Sequence, residues 1–280
     1  MSEELELWKA LVLGIVEGFT EFLPVSSTGH LTFAEALFGY QVDAPDVTAF
    51  TAIIQLGAVL ATVIYFRADI RRMIAALWRG ALDPARRSGE DWRLALAVFV
   101  GSLPIGVAGL AFKDQIETTL RSLWVVGTAL ILWSAVMWFA DRRATQTRGE
   151  RDITHRDTLI IGIVQCMALI PGVSRSGATM SAGLLRGLDR VTVTRLSFFL
   201  AMPALGAATV LQVATEHESI SSGLGWPATV LATAVSFVVA YAAVAWLLRY
   251  IAGHTYSIFI GYRILLGTTI LALVATGVVA

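Results

Sequence analysis

Glu17 and Glu21 stand four residues apart inside an apolar segment, so on a helix they share one face, one turn above the other. Two carboxylates stacked in an apolar setting repel. An ionisable group at membrane depth is costly, which makes each a functional candidate unless snorkelling or pairing accounts for it. A hard divalent cation, Mg²⁺ or Ca²⁺, would relieve the pair, because such ions take oxygen ligands from one or two carboxylates plus a phosphate. The plainer alternative is that one of the two is neutralised by Arg175.

Downstream of the pair comes Pro24-Val-Ser26-Ser27-Thr28-Gly29-His30, a hydroxyl-rich break that opens a returning half-helix. Any single hydroxyl here could be a helix cap and nothing more. His30 adds an imidazole on the next turn, and a hydroxyl beside an imidazole and paired carboxylates supplies the parts of a nucleophile with an acid/base partner. A second tip, Pro171-Gly-Val-Ser174-Arg175-Ser176-Gly-Ala-Thr179, sets a guanidinium among hydroxyls at the start of another half-helix. That is an anion site in outline: unpaired N–H groups, a positive dipole end, and a fork that matches phosphate. Arg175 could instead be structural, satisfying Glu17 or Glu21. Even then the two tips would meet.

The elements that must position these residues follow from composition and charge. Of 280 residues, 56% are hydrophobic and 15% charged, against roughly 25% charged in a soluble domain. Apolar stretches fall near 9–40, 50–66, 94–112, 122–140, 158–185, 191–213, 226–249 and 255–280, with short polar connections. The chain reads as one membrane domain, 1–280. Its net charge is zero and its basic residues lie in connections rather than on one face, which argues against a nucleic-acid partner. The acidic N-terminus and the lack of a small-residue cleavage site predict that the first segment is retained rather than removed. Cys166 stands alone, so no intrachain disulfide is expected.

Loops 67–93 and 141–157 carry seven and five arginines and are expected on the cytoplasmic side. The N-terminus, the connection at Asp43 to Asp46 and that at Glu216 to Glu218 are acidic, with Lys9 the one nearby cation, and are expected outside. Segment 9–40 then enters and leaves from outside, and 158–185 from inside. Each is broken at its middle, by Pro24 with Gly29 and by Pro171-Gly172 with Gly177. Both read as re-entrant hairpins. A fixed offset of 148, which carries Gly14 onto Gly162, matches six of eighteen positions, Val25/Val173, Ser26/Ser174 and Gly29/Gly177 among them. The expected fold is therefore an all-α integral membrane protein of six transmembrane helices plus two re-entrant helical hairpins. It is an inverted-topology repeat with halves at about 1–145 and 155–280.

Other features read as scaffolding. Gly14/Gly18 and Gly183/Gly187 permit close helix approach; Trp8, Trp78, Trp92, Trp124 and Trp226 sit near span ends as interfacial anchors. His155, His217 and His254 fall in connections and are expected at the surface. Arg263 lies early in the last span, where snorkelling to the cytoplasmic face is the default.

With these residues assembled, the chain resembles, over its whole length, the bacitracin-resistance type of undecaprenyl-pyrophosphate phosphatase. Two signatures carry the likeness: Glu17-GFT-Glu21 with Phe22-LPVSSTGH to His30, and Pro171-GVSRSGA to Thr179. The resemblance implies removal of the terminal phosphate from a C55 isoprenoid pyrophosphate, dependence on a divalent metal, and a place in the bacterial cytoplasmic membrane with the site open to the outer face. On that basis Ser26, Thr28, Ser174, Arg175, Ser176 and Thr179 would grip the pyrophosphate, metal at Glu17 and Glu21 would neutralise charge, and Ser27 would attack with His30 moving protons. The alternative makes His30 the nucleophile and Ser27 a ligand; the sequence does not separate them.

A rival class is a transporter or lipid flippase, since inverted repeats with broken helices are also a transporter plan. A scaffold without chemistry would leave the buried Glu, His and Arg unexplained. The sequence leaves a homodimer open.

Overall fold

A computed structural model describes residues 6–112, 116, 120, 122–222 and 225–279, with the backbone alone for 216–222. The first five residues and the side chains of Glu216 to Glu218, on which the topology argument drew, lie outside the described residues. The described chain is helical throughout; its one β feature is an isolated bridge between Arg148 and Leu188. Among the described residues eleven α-helices follow one another: α1 Leu7–Thr20, α2 Ser27–Leu37, α3 Pro45–Tyr65, α4 Arg67–Leu82, α5 Glu90–Ala111, α6 Leu123–Arg143, α7 His155–Gln165, α8 Arg175–Leu185, α9 Arg190–Ser222, α10 Trp226–Ile251 and α11 Ser257–Ala275.

Six of them, α3, α5, α6, α9, α10 and α11, are long and apolar enough to cross a bilayer. The chain is a multi-pass membrane protein. Helices α1, α2, α7 and α8 have 14, 11, 11 and 11 residues. At 1.5 Å per residue even the longest reaches only about 21 Å, short of an apolar layer about 30 Å thick. That shortfall is compatible with two hairpins that enter and turn back.

The breaks that create the short helices are built alike. Pro24 has no N–H to continue α1 and biases Leu23 away from helix. The chain then passes through Ser26 at φ 74°, and α2 begins with the Ser26 hydroxyl accepting the Gly29 N–H at 3.3 Å. At the second break a short 3₁₀ turn, Cys166–Leu169, leads to Ser174 at φ 77°, whose hydroxyl accepts the Gly177 N–H at 3.1 Å. A positive φ at a residue with a Cβ is uncommon and costs of order 1–3 kcal/mol.

Helices from early and late in the chain pack against one another. Helix α1 lies along α10, α7 lies along α5, and α3 packs between α9 and α10. Close approach demands glycine in both hairpins: a Cβ on Gly14 would stand 2.5 Å from the Ala232 carbonyl, and one on Gly162 2.2 Å from that of Gly101. Gly18 meets the Ser236 carbonyl and Gly183 the Val193 side chain in the same manner. Gly187 instead takes φ 83° at a helix end, a turn rather than a packing residue.

Two expectations about the connections change. Segment 67–82, read as loop because of its arginines, is helix α4, and α9 continues to Ser222 beyond the expected end near 213. The two arginine-rich connections share one end of the bundle, where Arg195 bridges Asp69 (3.1 Å) and Glu150 (2.9 Å), and Arg151 meets Glu90 at 3.3 Å. Buried Asp157 takes Arg148 at 2.5 Å and Arg186 at 2.8 Å, locking the entry to α7. Burial raises its affinity for a proton, but these guanidinium bonds and those from Thr154 outweigh it and hold the carboxyl well below the usual range. Trp8, Trp78, Trp124 and Trp226 are exposed, while Trp92 is half-buried under Gly80.

Candidate active site

The two tips meet in the interior of the bundle. Ser26 Oγ, besides capping α2, accepts the Gly172 N–H of the other tip at 3.2 Å. Ser176 Oγ returns the contact, donating to the Leu23 carbonyl at 2.8 Å. The remaining tip hydroxyls bond locally: Ser174 Oγ lies 3.0 Å from Ser176 Oγ, and Thr179 Oγ1 donates to the Arg175 carbonyl at 2.9 Å and lies 2.7 Å from Ser197 Oγ.

Glu21 is where the two tips join chemically. Its Oε2 accepts the Ser27 hydroxyl at 2.5 Å, and its Oε1 accepts Arg175 Nη2 at 3.2 Å, all three side chains being buried or nearly so. The same Nη2 reaches the Glu21 carbonyl at 3.3 Å and Nη1 reaches the Ser197 carbonyl at 3.1 Å. The guanidinium carbon stands 5.2 Å from the centroid of the Phe22 ring, a cation–π contact that fixes its plane. The structural pairing weighed from sequence thus exists, and it is made by Glu21. One donor of the fork, Nε, is buried and unbonded.

Glu17, one turn earlier, is fully buried, and neither of its carboxylate oxygens has a hydrogen-bond partner. A carboxylate left so is costly unless it holds a proton or a cation. Glu17 and Glu21, one helical turn apart, offer carboxylate oxygens of the kind a hard ion takes together with water and ligand oxygens.

His30 lies apart from Ser27's hydrogen bond. Its Nδ1 is 2.7 Å from the Ser26 carbonyl and its Nε2 2.7 Å from the Tyr262 hydroxyl. A carbonyl can only accept, so Nδ1 carries the proton and, in the neutral ring, Nε2 accepts from Tyr262. Thr28 is half-buried and takes no part in these bonds.

Three participants escape the sequence reading. Ser197 supports Arg175 and Thr179 from α9, and Tyr262 caps His30 from α11. The third corrects an expectation: Arg263 does not snorkel. Its side chain is fully buried, bonding to the carbonyls of Gly172 at 2.8 Å and Val173 at 3.1 Å and to Ser134 Oγ at 3.1 Å. It is six residues into α11, but the tips pack against that level and offer free carbonyls, so inward hydrogen bonds win over the longer reach to water. The one available signal was a guanidinium inside an apolar span.

Fold and site together define a polytopic helical membrane protein with a buried polar centre where carboxylates, a guanidinium and hydroxyls from two short hairpins converge. The family model for the bacitracin resistance protein BacA matches residues 10–269. The chain belongs to that family. Among its curated relatives, undecaprenyl-diphosphatase 3 of Frankia casuarinae is 68% identical over 97% of this chain and 98% of its own length. The undecaprenyl-diphosphatases of Cutibacterium acnes and Acidothermus cellulolyticus are 50% and 48% identical, each over 96% of this chain and over 98% and 97% of their own lengths.

Proposed function

We propose that this protein is a membrane-embedded phosphatase that hydrolyses undecaprenyl pyrophosphate to undecaprenyl phosphate and inorganic phosphate, returning the lipid carrier to cell-wall synthesis and so countering bacitracin. The observation that carries this reading is Glu21, whose one carboxylate takes the Ser27 hydroxyl from its own hairpin and the Arg175 guanidinium from the other. The names of the relatives support the same substrate.

In the proposed reaction the prenyl tail stays in lipid and the pyrophosphate enters between the tips. Arg175, with Nε still unbonded, grips the terminal phosphate, assisted by the hydroxyls of Ser174, Ser176 and Thr179 and by the N-terminus of α8. Ser26 holds the opposing tip in register. Ser27 Oγ attacks the terminal phosphorus as its proton passes to Glu21 Oε2, and the bond from phosphorus to the bridging oxygen breaks, releasing undecaprenyl phosphate. Water then cleaves the Ser27 phosphoester. This differs from the expectation that His30 moves the proton, because both His30 nitrogens are engaged elsewhere. A divalent cation, Mg²⁺ or Ca²⁺, held by Glu17 and Glu21, would neutralise phosphate charge, on which phosphoryl transfer largely depends. The inner membrane, with the site open to the outer face, is the location in keeping with this substrate.

The test is turnover by purified protein in detergent, where there are no compartments to transport between. Phosphate release from a prenyl pyrophosphate, silenced by chelator and restored by Mg²⁺ or Ca²⁺, is the expected result. No release at all would leave the flippase reading in its place, and full activity in excess chelator would remove the cation.

A further inference from the structure

Arg263 makes bonds that neither the reaction nor the span requires. Its guanidinium is fully buried, and every acceptor around it is neutral. Nη2 donates to the carbonyls of Gly172, Val173 and, more loosely at 3.4 Å, Leu130; Nε donates to Ser134 Oγ; Nη1 reaches the Pro24 carbonyl at 3.4 Å. Among the described residues it forms no ion pair. A cation in an apolar interior without a counter-charge is expensive, and a leucine or methionine would fill the same space without that cost. What the guanidinium adds is its fork.

The carbonyls it chooses are informative. Pro24 and Gly172 are equivalent positions at the offset of 148, so Arg263 touches the same atom of both tips. Two residues beyond each lies a serine at positive φ, and the next residue in each case is a site residue, Ser27 or Arg175. A carbonyl held from outside the hairpin fixes the peptide plane that leads into the strained turn. Both planes are held by one rigid group, tied in turn to α6 through Ser134 and Leu130.

We propose that Arg263 is a positioning residue, a clamp from the last span that sets the separation at which Ser27 and Arg175 face one phosphate. Its kinetic part rests on the phosphatase reading; its structural part does not.

Arg263→Met and Arg263→Lys would be compared with the parent protein in detergent, by steady-state turnover of a prenyl pyrophosphate and by deuterium uptake followed peptide by peptide. Misplacement by about 1 Å costs on the order of a hundredfold, so Arg263→Met should lose about that factor in kcat while KM moves by less than about threefold. Uptake should rise in peptides covering 22–31 and 170–180 alone. Arg263→Lys, which keeps the charge but not the fork, should recover only part of the loss. Parental kcat in Arg263→Met, or uptake rising evenly along α6, α9 and α10, would overturn the clamp. If Arg263→Met does not survive extraction, Arg263→Lys carries the same two readings. If the parent protein releases no phosphate, the phosphatase reading falls, and the uptake pattern alone decides the clamp.

Discussion

Ser26 and Ser174, the equivalent residues of the two hairpins, share a backbone conformation rarely given to serine, φ 74° and φ 77°, and each caps its helix by accepting the N–H three residues on. The bonds they make across the tips differ. Ser26 receives the Gly172 N–H, but the equivalent donor for Ser174 would come from Pro24, which has none, and Ser174 lies against Ser176 instead. One proline therefore leaves the first tip pinned by the bond that Ser26 receives from Gly172 and leaves Ser174 without its counterpart.

Because the conformation is strained for any side chain, cap and strain can be separated at Ser174. Glycine relieves the positive φ and costs a cap only a few tenths of a kcal/mol, whereas alanine loses the cap and keeps the strain. Ser174→Gly should be more stable than Ser174→Ala by about 1 kcal/mol, read from thermal unfolding in detergent, while both lose turnover. Equal stability would mean the turn is relaxed.

The 2.5 Å bond from Ser27 to Glu21 makes those two residues one unit. Ser27→Ala should lower kcat by about a thousandfold or more, and Glu21→Gln by roughly 10²–10⁴. The double variant should be little worse than the poorer single one, since residues that act together are non-additive. Multiplying losses in steady-state assays would separate them.

His30 is engaged through both nitrogens, so a trapped phosphoenzyme should carry its label on Ser27, as peptide mapping would report. Tyr262→Phe removes the hydroxyl at Nε2 and should cost less than about tenfold in kcat, the scale of one neutral hydrogen bond. Label on His30, growing when Tyr262 is replaced, would reverse the two roles.

Away from the chemistry, Asp157 sits buried between Arg148 and Arg186. Its carboxyl titrates lower in the folded chain than in the unfolded one, so its contribution is complete above the ordinary carboxylate range and fades as pH falls below about 4. Asp157→Asn should cost about 3 kcal/mol near neutrality by stranding two guanidinium groups, and this difference should shrink in acid. A constant difference from pH 7 to pH 3 in thermal unfolding would contradict the account.

Much of the site was legible because its parts are local. The spacing of Glu17 and Glu21, the breaks at Pro24 and Pro171-Gly172, and the hydroxyls around Arg175 are each written within a dozen residues. Arg263, Tyr262 and Ser197 were not, because nothing near them in sequence records the carbonyls and side chains that reach them from other helices. Segment 67–82 misled for a different reason. Its arginines mask a helical stripe, although Met73 and Gly80, seven apart on one face, are its buried residues. The end of α9 was set too early because the polar residues after 213 were taken as a boundary, whereas the helix runs on through them to Ser222.

The seat of Gly14 on Ala232 also constrains how the protein is made. After Gly14 a ribosome must add more than two hundred residues before Ala232, the seat that receives it, exists. For that interval the nascent segment holding Glu17 and Glu21 waits in the translocon or at the lipid boundary, without the partner that will later enclose it. Correct insertion is thus a problem of timing as much as of hydrophobicity, and the membrane machinery, rather than the hairpin, has to keep the place open.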